Sequence, residues 1–157
     1  VTFYKSTSQL PGFEDYSMKG RTYRYMTEAP LFPFGHGLSY TTFRYGDASL
    51  STQEVKDGEQ TILTIPVSNA GERDGEEVVQ LYIHDLFASR VRPIKELKAF
   101  KKLLIKAGET VLVEFEIDEN MLKFWDENMD YVAENGEFDI FIDGSSATEN
   151  KARFILQ

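Results

Sequence analysis

An all-β sandwich of about seven strands, led by an irregular N-terminal arm, is the fold class that three features of the sequence predict. Aromatic residues make up 13% of the chain, with 12 Phe and 8 Tyr, and Val, Ile and Thr fill short runs beside them; such side chains favour the pleated strand. From Tyr40 onward those runs alternate apolar and polar, with turn signals between them at the spacing of a sandwich. No stretch reads as a convincing amphipathic helix. The 157 residues suit one domain plus a short appendage.

The strands can be justified in order. QTILTIPVSN places Leu63, Ile65 and Val67 on one face and Ile62, Thr64 and Ser68 on the other. Pro66 has no N–H to give to a ladder, which predicts an edge position or a bulge there. NAGERDGEE is a turn, and EVVQLYIHD follows with Val79, Leu81 and Ile83 facing one way. KELKAFKKLLI loses its alternation near Phe100, the sign of a β-bulge. After the turn KAGET, TVLVEFEID directs Val111, Val113, Phe115 and Ile117 inward and Glu114, Glu116 and Asp118 outward. ENMLKF reads as one helical turn. DYVAENGEFDIFIDGSS holds a strand, an Asn-Gly turn and a second strand with Phe138, Ile140 and Ile142 on one face. ARFIL closes the chain. Residues 1 to about 40 lack any regular apolar period, and VTFY at the start, Val1 included, reads as a strand taken from something longer.

Charge and composition exclude several classes. The net charge of −9 would repel a nucleic-acid backbone or an anionic bilayer, so neither is expected as a partner. No apolar run approaches the roughly 18 residues of a membrane span. With no cysteine there is no disulfide, thiolate chemistry or Cys-ligated zinc, and no cofactor motif is present.

Candidate chemical groups read mostly as structure. Glu114 and Glu116 lie two apart on a strand, with Cβ atoms about 6.5–7 Å apart, a separation usable by paired acid and base carboxylates. The pattern reads instead as the polar face of a two-faced strand, with no neighbouring residue that would raise one carboxyl pKa. Asp126, Asn128 and Asp130, followed by Glu134 and Glu137, fall in the register of an EF-hand loop, but Tyr131 stands where its sharp turn wants glycine. His36 and His84 lie in no metal-ligand spacing. His84, ending a strand beside Asp85, suits a strand-end hydrogen bond. In RVRPIKELKAFKK, Arg90, Arg92 and Lys95 form either a solvated face or a contact for an acidic partner surface. Tyr23, Tyr25, Phe32, Phe34 and Tyr40 crowd the arm too densely for a free linker. Tyr82, Trp125 and Tyr131 are the aromatics on which a polysaccharide could stack.

GRTYRYM followed by PLFPFGHGLSYTTF, then VSNAGERDGEEVVQLYIHD, RPIKELKAFKKLLIKAGET and ENGEFDIFIDGSS, resembles the last part of family-three glycoside hydrolases, the β-glucosidase and β-xylosidase group. The resemblance covers nearly the whole chain and leans to the β-xylosidase branch through FEDYSMKGRTYRY. It implies residues 1–39 as the tail of an α/β-sandwich domain with an interdomain connector, and residues 40–157 as a fibronectin type III-like, immunoglobulin-like β-sandwich. It implies a retaining, exo-acting parent in plant-polysaccharide breakdown, periplasmic or secreted and bacterial. The nucleophile and acid/base of that family match no residue here, so the segment is expected to be inactive and to brace the catalytic barrel and α/β-sandwich domains, with homodimerisation a further expectation. The alternatives are a carbohydrate-binding or a calcium-stabilised interaction module. The connector PLFPFGHGLSY would be held extended by Pro30 and Pro33, turned at Gly35 and Gly37, and anchored by Phe32, Phe34 and Tyr40. Tyr23, Tyr25, Arg90, Arg92 and Lys95 complete the expected interdomain contacts.

Overall fold

Strict alternation in TILTIPVSN dictates the centre of the fold. In a computed structural model describing residues 2–56 and 58–157, strand β4 (Thr61–Asn69) buries every odd-numbered side chain from Thr61 to Asn69 and leaves the even-numbered ones half-buried. Among the described residues the strands are β1 (Phe43–Tyr45), β2 (Ser49–Leu50), β3 (Glu54–Val55), β4, β5 (Gly75–Asp85), β6 (Glu96–Ile105), β7 (Thr110–Ile117), β8 (Phe124–Trp125), β9 (Tyr131–Val132), β10 (Gly136–Asp143) and β11 (Lys151–Leu156). One sheet places β1 and β2 along one side of β4 and β7 along the other. The second runs β3-β11-β10-β5-β6. β8 and β9 form a small separate ribbon. The two large sheets enclose one core, in which Leu63, Ile65, Val67, Val79, Leu81, Ile83, Val113, Phe115, Phe138, Ile140 and Phe154 are buried. The result is the predicted all-β sandwich, with the expected inward faces on β4, β5, β7 and β10.

Two local expectations are corrected, and the β-bulge expected near Phe100 is found. Pro66 lies neither at an edge nor in a bulge: β4 is central, and Pro66 pairs with Leu112 of β7. Its other side faces the interval between β1 and β2, where Gly46 N–H donates to the Pro66 carbonyl at 2.9 Å. The donor that Pro lacks therefore points at a break in the neighbouring strand, so no ladder partner is orphaned. The bulge of β6 falls at Lys98, just before the expected place: Leu81 pairs with Ala99 while Tyr82 pairs with Leu97. The Asn135-Gly136 pair closes no hairpin, because β9 pairs back to β8 and β10 pairs with β5 and β11. The helical turn in ENMLKF forms as α2 (Glu119–Leu122), where the Asp118 carboxylate accepts from Met121 N–H at 3.1 Å as an N-cap.

The arm has no core of its own. It contains a 3-10 turn (Thr7–Gln9), the single helical turn α1 (Thr22–Tyr25) and a bridge between Phe3 and Phe32. Val1, the first residue of the expected leading strand, lies outside the described residues. The arm's placement explains why β5 and β10 bury consecutive residues. Gln80, Tyr82, Asp139 and Phe141 occupy outward positions of the five-stranded sheet yet are buried, since the arm and basic side chains lie over them.

Candidate interaction surface

The site is a seam in which an aperiodic arm meets a sheet face with aromatic side chains at its outward positions. Tyr82 and Phe141 are cross-strand partners on β5 and β10. The Tyr23 ring of α1 stands edge-on to Tyr82, with centroids 5.8 Å apart at 71°. On its other side Tyr23 stacks on Phe34 at 4.3 Å and 17°, so one ring joins the helical turn, the connector and the sheet. Each such aromatic pair contributes about 0.5–1.5 kcal/mol beyond area burial. The Tyr23 hydroxyl accepts from Leu97 N–H at 3.2 Å. Backbone bonds fasten the same seam: Ile94 N–H donates to the Arg24 carbonyl at 2.7 Å, and Ser146 N–H to the Phe34 carbonyl at 2.9 Å.

Gly35 follows Phe34 with φ of +83°, and a Cβ there would collide with the Gln80 amide. Glycine is required for both reasons. Gln80 is fixed in turn, its Oε1 accepting from the Tyr82 hydroxyl at 2.6 Å and its Nε2 donating to the Gly144 carbonyl at 2.5 Å. Burial pushes the Tyr82 hydroxyl pKa well above its ordinary value, which keeps it a donor. Gly37, by contrast, has open space around it.

The basic residues face their own chain. Glu96 gathers Arg24 at 3.2 Å, Arg92 at 3.1 Å and Lys98 at 3.3 Å, while the Arg92 guanidinium lies 4.5 Å from the Phe124 ring centroid. Lys95 donates to the Ser146 and Thr148 carbonyls at 3.1 and 2.6 Å and sits 4.5 Å from the Phe141 centroid. Burial lowers its pKa. Arg90 reaches Glu127 at 3.6 Å. Arg92 and Arg90 thus each meet an acidic side chain of this chain, Glu96 and Glu127, while Lys95 meets backbone carbonyls and a ring. Tyr23 and Phe34 are anchored inward and Tyr25 is partly buried. Phe32 packs edge-on to Phe3 at 6.1 Å but is largely exposed. Tyr40 enters no apolar pocket of the sandwich: it is 94% exposed, and Leu38 two residues before it is 95% exposed. Phe13 and Tyr16 are also almost fully exposed. Beneath Leu38 a cavity of about 480 Å³ opens between the connector and β5, lined by Thr41, Tyr45, Glu77, Val78 and Asp143. There the Tyr45 hydroxyl donates to Glu77 Oε1 at 2.6 Å.

The other sequence candidates do not converge on chemistry. Glu114 and Glu116 stand exposed on the outer side of β7, opposite Thr64 and Ile62. In the stretch with EF-hand-like register, Asp126 Oδ1 accepts from the backbone N–H groups of Asn128 and Asp130 at 2.8 and 2.9 Å. Glu134 accepts from Ser89 N–H and hydroxyl at 2.8 and 2.5 Å, and Glu137 pairs with Arg153 at 2.9 Å. Among the described residues no group of three or more His, Cys, Asp or Glu side chains is placed to hold a metal ion. His84 is half-buried, burial lowering its pKa against the pull of Asp139 and Asp85. His36 is exposed, its ring 4.9 Å from Phe32. Tyr82 is fully buried and unavailable as a surface aromatic, whereas Trp125 and Tyr131 are exposed. Sequence reasoning missed Gln80, Tyr82, Glu96 and Phe141 as the surface receiving the arm. The available signal was aromatic residues at the nominally polar positions of alternating strands.

Residues 77–146 match the family model of the fibronectin type III-like domain. The chain is 46% identical over 99% of its length to a xylan 1,4-beta-xylosidase of Xylanibacter ruminicola, of which it covers 18%. It is 40% identical over 99% of its length to a periplasmic beta-glucosidase of Salmonella typhimurium, covering 22% of that protein. This chain belongs with the fibronectin type III-like domains of the family-three β-glucosidases and β-xylosidases. A solved β-glucosidase from Erythrobacter marinus superimposes with a TM-score of 0.84 at 37% identity, over 99% of this chain and 21% of that one. The domain and its arm together thus span about a fifth of the length of the relatives they match.

Proposed function

We propose that this chain is the accessory C-terminal domain of an exo-acting retaining β-glycosidase, a β-xylosidase or β-glucosidase of plant-polysaccharide breakdown, and that it braces the catalytic domains without being catalytic. In this reading residues 1–39 are the tail of the preceding α/β-sandwich domain and the connector, and residues 40–157 the brace. The parent acts in the periplasm or outside a bacterial cell, as the periplasmic relative suggests. The observation that carries the reading is the two-sidedness of the arm. Tyr23 and Phe34 lock one side to the sandwich, while Phe13, Tyr16, Leu38 and Tyr40 turn large apolar side chains outward. Exposed apolar groups at such density mark a contact surface, and the catalytic barrel and α/β sandwich of the parent are the surfaces that this arm would join.

The test is a full-length enzyme carrying this chain with Phe13, Tyr16, Leu38 and Tyr40 replaced together by Ser. The melting temperature of the catalytic domains should fall and subunit or domain dissociation should precede loss of sandwich structure. An unchanged melt defeats the bracing role. The chain by itself should not hydrolyse aryl β-xylosides or β-glucosides, and turnover by the purified chain overturns the non-catalytic assignment.

A further inference from the structure

Asp85 is the last residue of β5, and Arg92 lies in the loop that leads on to β6. Asp85 Oδ2 and Arg92 Nε are both buried, and neither has a hydrogen-bond partner among the described residues. Each group is held in place by its other atoms. Asp85 Oδ1 accepts from Phe87 N–H at 3.3 Å. The Arg92 guanidinium donates through Nη2 to Glu96 at 3.1 Å and lies against the Phe124 ring. An Nε–H is fixed in the guanidinium plane and a carboxylate oxygen only accepts, so the orphans are one donor and one acceptor. Burial raises the Asp85 pKa, against the opposing pull of the Phe87 N–H and the Arg92 charge. Polar atoms taken out of water and left unpaired are costly, and native interiors give nearly all of them a partner.

Both residues line one cavity of about 10 Å³, the room that a single water molecule needs. Glu96 and Lys98 are its other charged walls, and Leu122 of α2 and Phe138 of β10 give it apolar sides. Two carboxylates and two cations leave the cavity electrically balanced. An added ion would upset that balance, whereas a neutral dipole with both a donor and an acceptor suits it. We propose that this cavity is a hydration site for one buried water, which accepts from Arg92 Nε–H and donates to Asp85 Oδ2. The bridge fastens the 86–95 loop to the end of β5 through two side chains that do not bond each other. The site uses only groups of this chain and is independent of what the parent enzyme acts on.

The experiment is a high-resolution crystal structure of this chain, grown in parallel from sodium chloride and from rubidium bromide, joined to NMR of the Arg92 Nε–H. The expected density is one peak within hydrogen-bond reach of Asp85 Oδ2 and Arg92 Nε, with no anomalous signal from rubidium or bromide. Laboratory-frame and rotating-frame Overhauser spectra should show water cross-peaks at that Nε–H, with the opposite signs of a long-lived bound water. Asp85→Asn keeps an acceptor and should retain the cross-peaks. Asp85→Leu removes the acceptor, fills the cavity and should lose them, with circular-dichroism melts establishing that both variants are folded. An anomalous peak at the site, a direct Asp85–Arg92 hydrogen bond, no density between them, absent cross-peaks in the parent chain, or cross-peaks that persist in a folded Asp85→Leu overturns the proposal. Should Asp85→Leu not fold, the crystal structures of the parent chain decide alone.

Discussion

Gly46 lies directly against Pro66: its N–H donates to the Pro66 carbonyl at 2.9 Å, and a Cβ on Gly46 would stand 2.5 Å from Pro66 Cγ. The pair explains how a proline occupies a central strand. The neighbouring chain interrupts its pairing at the one position where β4 offers no donor, and only a residue without a side chain can pass there. Gly46→Ala should therefore force β1 and β2 apart and destabilise the domain by about 1–3 kcal/mol, the usual cost of overpacking. Urea denaturation measures it. Equal midpoints for Gly46→Ala and the parent chain would refute this account.

That relationship also marks the limit of what the sequence discloses. Side-chain period alone assigns the inward faces of β4, β5, β7 and β10, because those positions depend only on alternation about a two-sided sheet. Pro66 is misplaced by the same logic, since its environment is set by residue 46, twenty positions away in the chain and unpaired in any pattern. Asn135-Gly136 carries a strong hairpin signal, yet tertiary pairing of β10 with β5 overrides it. The arm has no periodicity to read, so only the resemblance indicates that it belongs beside the sandwich. Its landing site was visible in principle, as Tyr82 and Phe141 break the polar outer face of their strands. For Arg92 and Lys95, sequence shows a basic cluster but not that Glu96, Phe124 and Phe141 receive it.

Asn69 is a buried polar residue with every hydrogen-bonding group engaged. Its Nδ2 donates to the Arg73 and Ile105 carbonyls at 2.7 and 2.9 Å, and its Oδ1 accepts from Thr41 Oγ1 and Gly71 N–H at 2.5 and 3.1 Å. Asn69 is 1% exposed, and Asn69→Leu keeps its branched shape but leaves the buried Ile105 carbonyl without its donor and Gly71 N–H and Thr41 Oγ1 without their acceptor. Each such buried group costs about 1–3 kcal/mol, so the variant should be among the most destabilised in a melting series. A shift within experimental error would contradict the network.

Glu77 predicts a pH dependence of definite sign. Burial, and then the charge of Asp143, raise its pKa above the ordinary 4.5, against the opposing hydrogen bond from Tyr45. The folded state thus holds the proton more tightly than the unfolded state, and stability declines as pH climbs from about 4.5 through the raised value. Glu77→Gln keeps an acceptor for Tyr45 and removes the charge. Its stability should be flatter across that window and equal or exceed the parent chain's at neutral pH. A variant that keeps the parent's slope between mildly acidic and neutral pH would rule Glu77 out as its source.

Asp139 carries the opposite sign. Burial disfavours its carboxylate, but hydrogen bonds from Arg153 and Lys151 outweigh this and hold its pKa below the ordinary 3.8. Arg153 Nε lies 2.6 Å and Lys151 Nζ 2.8 Å from its oxygens. The stability that this group supplies is complete above the unfolded value and disappears as pH falls through the depressed folded value. Asp139→Asn should cost roughly 1–2 kcal/mol at neutral pH, since the two cations are half exposed and regain water. Its deficit should vanish in strong acid, which a series of denaturation curves at descending pH would reveal.

Phe34 is the hinge between arm and sandwich, because its ring stacks on Tyr23 and its carbonyl holds Ser146. The sandwich core contains neither residue. Phe34→Ala should free the arm while leaving the two sheets intact. Limited proteolysis should then cut between residues 20 and 40 many times faster, and hydrogen exchange at Ile94, Leu97 and Ser146, whose N–H groups bond the arm, should accelerate with it. Amides of β4 and β7 should keep their protection, as stability is distributed unevenly between a docked segment and a closed core. Uniform acceleration across both sheets would mean that the arm is part of the cooperative core, and the seam would then be a structural element of the domain instead of a clip.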